Sequence, residues 1–261
     1  ETMYISTVDD FLEFAANCYI DSWSVNKKIV LRNNLDFTGR ELVMVPVFAG
    51  EFDGNGHTIS GIDFTGESYV TAIFRYVEEN GVIDSLNVKG NIAALDEQEC
   101  VGGIVGSNYG TIKNCSFEGN VSGKNTIGGI AAFNKSTGII KKCEVRGRIT
   151  GSYYTGGITG INHGIINNCA NAAGINDDSA WVESEDENSS NIIGNITGNE
   201  SSSIRSGIDT GGISGFSDGI IASCNNNGQV GYEHVGYNIG GIAGRQSGII
   251  LSCVNEGKVF G

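Results

Sequence analysis

Apolar positions in this chain follow two periods, one near the start and another over the rest. In the first twenty residues Val8, Phe11, Leu12, Ala15, Cys18 and Tyr19 recur three and four residues apart, which predicts one buried stripe of a helix over 1–20. Ser6 or Thr7 can cap that helix, and Asp9 and Asp10 fall in its first turn, where the helix dipole favours negative charge. A polar link over 21–28 ends the pattern. Ile29-Val30-Leu31 and Leu35-Asp36-Phe37 then read as short strands. Asp53-Gly54 and Asn55-Gly56 mark a tight turn between two more.

From about residue 70 the pattern becomes a repeat. Gly-Gly pairs stand at 102–103, 128–129, 156–157, 211–212 and 240–241, with steps of 26, 28, 55 and 29 residues. After each pair come an Ile, a polar residue, Gly-x-Ile-x-x-Cys, and in most copies Gly-x-Val or Gly-x-Ile. The Ile positions are Ile112, Ile140, Ile166, Ile221 and Ile250; the cysteines are Cys115, Cys143, Cys169, Cys224 and Cys253. Residues 72–92 fit as an earlier copy, with Ile83 and Leu86 in those places. Leu in place of Cys says that the position takes a buried apolar group. A period in the twenties is the signature of a solenoid.

Three short apolar segments per copy, divided by Gly, Asn or Ser, predict three strands per coil. Helical repeats need longer windows and far less glycine. Stacked coils set equivalent residues about 4.8 Å apart, so Ile on Ile and Cys on Cys become interior columns. Asn108, Asn134 and Asn162 share one aligned place, where amides can bond along the stack; Ser217 and Gln246 occupy it later, so that ladder is partial. The 55-residue step is one coil too long. Residues 176–190 hold Asp177, Asp178, Glu183, Glu185, Asp186 and Glu187 around Trp181, and residues 191–198 imitate the last strand of a unit. Two readings are open for 176–198: a degenerate coil carrying an acidic excursion, or a surface insertion.

Composition narrows the class. Forty glycines with one proline among 261 residues lack the strict third-residue glycine and abundant proline of collagen. A hydrophobic share of 39%, regularly placed, argues against disorder. A net charge of −14 leaves no basic face for nucleic acid or an anionic membrane. No apolar run approaches the roughly 18 residues of a membrane span, and Glu1 reads as a mature boundary with no signal segment ahead of it. Seven cysteines cannot all pair within one chain.

The repeated Gly-Ile-x-Gly at 103–106, 157–160, 212–215 and 241–244, with Ala132 replacing the last glycine at 129–132, resembles the GLUG-motif repeat. The family name has Leu where this chain has Ile. The resemblance covers roughly residues 45–261, and Phe52–Ile59 looks like the first coil of such proteins. It implies a right-handed parallel β-helix, and a bacterial protein exported to the cell surface. Some proteins with this repeat are large adhesin-like chains, and others resemble the N-terminal repeat regions of immunoglobulin A proteases. It implies no activity for the repeat itself.

Candidate chemistry is sparse. The cysteine spacings follow the coil period and form no Cys-x-x-Cys, so the column reads as packing. His57, His163 and His234 lie in turns and corners, outside any His-Glu-x-x-His arrangement, and read as surface residues. Sugar-cleaving β-helices are the enzymatic alternative, as polysaccharide lyases or glycoside hydrolases. Hydrolysis needs two carboxylates about 5–9 Å apart across a groove, a geometry that the sequence-adjacent pairs Asp9-Asp10, Glu78-Glu79 and Asp177-Asp178 do not create. Asp177, Asp178, Glu185 and Asp186 are weak candidates for calcium, lacking its loop spacing. No cofactor is expected. The corner before each Gly-Gly varies most, with Asp96, Glu97, Glu99, Tyr153, Tyr154, Glu200, Asp209, Tyr232, Glu233, His234 and Tyr237. Of these, Tyr153, Tyr154, Tyr232, Glu233, His234 and Tyr237, with Trp181, are candidates to bind a glycan or a host or surface protein.

The expectation is one all-β domain over 1–261, a right-handed parallel β-helix of about seven three-strand coils. Residues 1–40 supply a capping helix and lead-in strands, and 41–261 supply the coils. The function expected is a non-catalytic, extracellular or cell-surface module for adhesion, ligand binding or spacing. The last coil is expected to continue beyond Gly261 or to meet a partner, because an open coil end exposes strand edges.

Overall fold

The computed structural model describes residues 1–95, 100–177, 208–232 and 236–261. Every strand pairing in it is parallel, and the strands wind into a β-solenoid of about seven turns. One coil shows the plan. Cys100–Gly102 lies in a first sheet, Val105–Asn108 in a second, Thr111–Lys113 in a third and Ser116–Ser122 in a fourth. Each strand pairs with its equivalents one coil before and after.

The coil therefore has four strands, where the segment count predicts three. The extra corner is made by Gly102 and Gly103. A Cβ at Gly102 would overlap the Val105 carbonyl oxygen, and one at Gly103 would overlap the Gly129 carbonyl oxygen. Only glycine lets the backbone fold this sharply between the first and second sheets. The last glycine of Gly-Ile-x-Gly has a related reason. At Gly160, Gly215 and Gly244 the backbone of a first-sheet strand passes within 2.8 Å of where a Cβ would stand. Ala132 is tolerated because it packs with Val70 and Cys100 in a small cluster, separate from the main core, with Tyr76 and Phe133 against it.

The predicted columns form. Ile83, Ile112, Ile140, Ile166, Ile221 and Ile250 pair in register along the third sheet. Toward the N-terminus the same column continues as Phe52, Ile29 and Met3. All from Ile29 to Ile221 are fully buried, whereas Ile250 in the last rung is 37% exposed. A second column, Ile139, Ile165, Ile220 and Ile249, is the alternate residue of the same strands and faces outward.

The helix is shorter than predicted. Thr2–Ile5 is a strand on Lys28–Leu31, and α1 covers only Val8–Asn17. The free edge of Lys28–Leu31 offers Thr2–Ile5 a partner before a helix can start there. Thr7 is the cap, in a box whose other half is the Asp10 carboxylate accepting from the backbone of Ser6 and Thr7. The Ser6 N–H, most of all, holds the Asp10 carboxyl below its ordinary value. That contribution is present near neutrality and is lost as acid protonates the group. Tyr19, predicted on the buried stripe, lies past the helix end and is exposed. Phe14 is the core residue instead: with Phe11 it closes the coil end against Phe37, Phe48, Phe52 and Phe74, at centroid distances of 5.6–6.4 Å.

The 55-residue step contains no additional coil in the stack. Ile166 pairs directly with Ile221, Thr159 with Ser214 and Thr155 with Thr210. Strands hydrogen-bonded to each other leave no room for a complete coil between them, and residues 178–198 of the stretch lie outside the described residues. The extra residues leave after Gly174–Ile175 and return at Ile208–Gly211, at the corner before the Gly-Gly.

Candidate functional site

The most regular side chains are used up in the stack. Each repeat cysteine sits three residues after the column Ile and donates its thiol to the carbonyl of the column residue one coil earlier. These pairs are Cys115 to Ile83, Cys143 to Ile112, Cys169 to Ile140, Cys224 to Ile166 and Cys253 to Ile221, at 3.6–3.8 Å. All seven cysteines are free thiols. Burial pushes the Cys18 thiol up to about 12 and raises Cys143 well above the ordinary value. A bond with Cys169, and then burial, raise Cys224. Cys169, bonded to Cys143 and Cys224, is held below the ordinary value instead, but like them it is closed off from solvent, and a thiol that no reagent can reach is a poor nucleophile and a poor metal ligand. Labelling of the native protein with a thiol reagent is therefore expected to reach the half-exposed Cys253 first and the other repeat cysteines far more slowly than in denaturant. Equal rates for all, native and denatured, would contradict the packing role.

The asparagines form the expected ladder. Asn108 donates to Asn134, and Asn134 to Asn162, both at 2.9 Å; Asn162 donates to the Ser217 hydroxyl at 3.1 Å. A second ladder escaped the sequence reading: Asn171 donates to Asn226, and Asn226 to Asn255, at 2.8 and 2.7 Å. Its signal was Cys-x-Asn in the last three copies. In register these asparagines continue the places of Phe117 and Val145, so an apolar core column turns polar midway along the rod.

The predicted corner is only partly assembled. Tyr153, Ile208 and Tyr237 stack in one column at the outer end of the first sheet. Tyr154 is half-buried and held at φ +44°. In the same place one coil on is Asp209, whose carboxylate is buried and bonded to Arg245 and Asn238. Asp209 is thus a structural anchor. Tyr232 is half-buried. Trp181, Glu233 and His234 lie outside the described residues. Of the calcium candidates, Asp177 pairs with Arg148 at 3.4 Å, and Asp178, Glu185 and Asp186 lie outside the described residues. Among the described residues no three metal-ligating side chains converge.

Another corner, between the second and third sheets, carries a constellation that the sequence reading passed over. The residue directly after each ladder position is Tyr109, Lys135, His163 and Asp218 in successive coils. With Ser136 they line a depression of about 570 Å³. His163 Nδ1 meets Asp218 Oδ1 at 2.7 Å, and Thr137 donates to the Tyr109 carbonyl at 2.7 Å, tying the corner loop down. Lys135 Nζ stands 4.4 Å from the Phe133 ring centre and 6.0 Å from that of Tyr109. Phe133, Ile161 and Phe216 form one outward column of the second sheet beside the depression. Taken alone in the sequence, His163 reads as a surface residue; the set is legible only when the position after each ladder residue is aligned across the copies.

Fold and repeat together define the class, an all-parallel β-solenoid whose coils from residue 100 onward turn on a Gly-Gly-Ile corner. Residues 97–122, a stretch that takes in the coil described above, match the family model of the GLUG motif. The chain is 37% identical to halomucin of Haloquadratum walsbyi over 92 residues, 34% of this chain and 1% of that protein. It is 35% identical over 74 residues to a protein of Evansella cellulosilytica named as a Gly-rich membrane protein candidate, 27% of this chain and 8% of that one. This chain therefore spans a small part of either relative. A crystal structure of an immunoglobulin A1 protease candidate from Bacteroides ovatus matches with a TM-score of 0.70 at 16% identity, covering 98% of this chain and 75% of that one. That likeness concerns the fold.

Proposed function

We propose that this chain is a non-catalytic display module, at the cell surface or outside the cell, whose rod presents corner side chains to a glycan or a host or surface protein. The observation that supports it most is the division of labour along each coil. Residues that recur from copy to copy, the glycines, Ile, Cys and Asn, are bound into the stack, while residues that differ, such as Tyr109, Lys135, His163 and Asp218, gather on corners one rung apart. The names of the Haloquadratum and Evansella relatives fit a surface setting. A rigid scaffold carrying variable loops is a common way to build binding surfaces.

The test is to present the purified chain to a glycan array and to host epithelial cells, and in parallel to incubate it with acidic and neutral polysaccharides. Saturable binding without new reducing or unsaturated chain ends is expected. Depolymerisation of any of the polysaccharides would overturn the display reading in favour of a β-helix lyase or hydrolase.

A further inference from the structure

We infer that the depression at Tyr109, Lys135, Ser136, His163 and Asp218 is a binding site for a carboxylated sugar, a uronic or sialic acid unit of an acidic glycan. The inference rests on the display reading and names its ligand class and place.

The argument starts from charge. In a chain of net charge −14, Lys135 is a cation with no carboxylate partner among the described residues. Most other cations on the rod are paired: Lys28 with Glu51, Lys89 with Glu118, Lys113 with Asp84 and Arg245 with Asp209. Lys135 instead lies over the Phe133 ring and near the Tyr109 ring, which hold the ammonium in place without neutralising it. A positioned, unneutralised ammonium beside an open depression suits a carboxylate.

The other groups suit a sugar ring. Tyr109 is 37% exposed and offers a flat face for the C–H side of a pyranose, and its hydroxyl can bond the ring's substituents. The Nδ1 of His163 is engaged by Asp218, so in the neutral ring that donates there Nε2 is left to accept from a sugar hydroxyl. Ser136 adds a hydroxyl that both donates and accepts. Asp218 would repel a carboxylate, which sets the direction of the ligand: acid group at Lys135, hydroxyls toward His163 and Asp218. Those ends are two rungs apart, roughly 10 Å along the stack, the reach of a disaccharide.

The test is a titration of the whole chain, followed by NMR chemical shifts and calorimetry, with 3′-sialyllactose, tri-galacturonate, lactose and an acetylated tripeptide with a free C-terminal carboxylate. At least one acidic sugar is expected to bind, about tenfold or more tighter than lactose, and tighter than the peptide. Which acid binds separates a sialylated from a uronate source. Lys135→Gln should weaken the acidic sugar about tenfold and remove its advantage over lactose, Tyr109→Ala should weaken every sugar, and Lys141→Gln on the third sheet should change neither. The assignment is overturned if no acidic sugar binds, if lactose or the peptide binds as tightly, or if Lys135→Gln leaves binding intact. If binding is instead lost in a Tyr153→Ala, Tyr237→Ala double variant, the site falls but the display reading stands. If nothing binds here, cell and array binding decide that reading separately.

Discussion

Gly119→Val is expected to cost about 4 kcal/mol or more, near the upper limit for one substitution. Gly119 is held at φ +146° inside Ser116–Ser122, in register with Gly90 at φ +151° and Gly147 at φ +109°. A side chain there is strained, and its Cβ would overlap the Gly90 carbonyl oxygen and carbon. The Gly90 backbone cannot retreat, because its strand pairs on both sides, with Thr58–Gly66 and with Ser116–Ser122. Backbone strain of about 1–3 kcal/mol then adds to overpacking of similar size. Gly39 is the control. Its φ is +72° with nothing within 4 Å of a Cβ, so Gly39→Ala should cost only about 1–2 kcal/mol. Because coils can open locally, urea unfolding should be read with amide exchange, which should lose protection first across 87–94 and 144–150. A loss under about 1 kcal/mol for Gly119→Val would refute this account of the glycine column.

Asn134→Leu is expected to cost about 3–4 kcal/mol although the two side chains are similar in size. Asn134 is fully buried. It accepts from Asn108, and it donates to Asn162 and to the Gly138 carbonyl. Leu would strand groups that water cannot reach, at about 1–3 kcal/mol for each one left unsatisfied. Asn108 and Asn162 keep their bonds to Gly110 and Gly164, which limits the total. Substituting Asn162 in addition should cost less than the sum of the two single effects, since the 134–162 bond can be lost only once. Strict additivity in a double-mutant cycle would show that the amides act as separate corner braces and not as a ladder.

Much of this architecture is legible in the chain itself. Parallel in-register pairing makes residues one period apart neighbours in space, so an alignment of the copies already identifies the stacked Ile112, Cys115 and Asn108 columns. Capping chemistry at Thr7 and Asp10 is local and legible for the same reason: its partners are a few residues away. What the period does not carry is how the coil bends between its columns. The fourth strand exists because Gly102 and Gly103 let two sheets fold against each other, and the last glycine of Gly-Ile-x-Gly answers to the backbone of another sheet. Whether the 55-residue step adds a coil depended on Ile166 meeting Ile221. The corner set Tyr109, Lys135, His163 and Asp218 comes from four coils, and neither its depression nor the His163–Asp218 contact exists before they stack. Repetition determined which residues share a column; only the closing of each coil on its neighbours decided which corner is packed shut and which stays open.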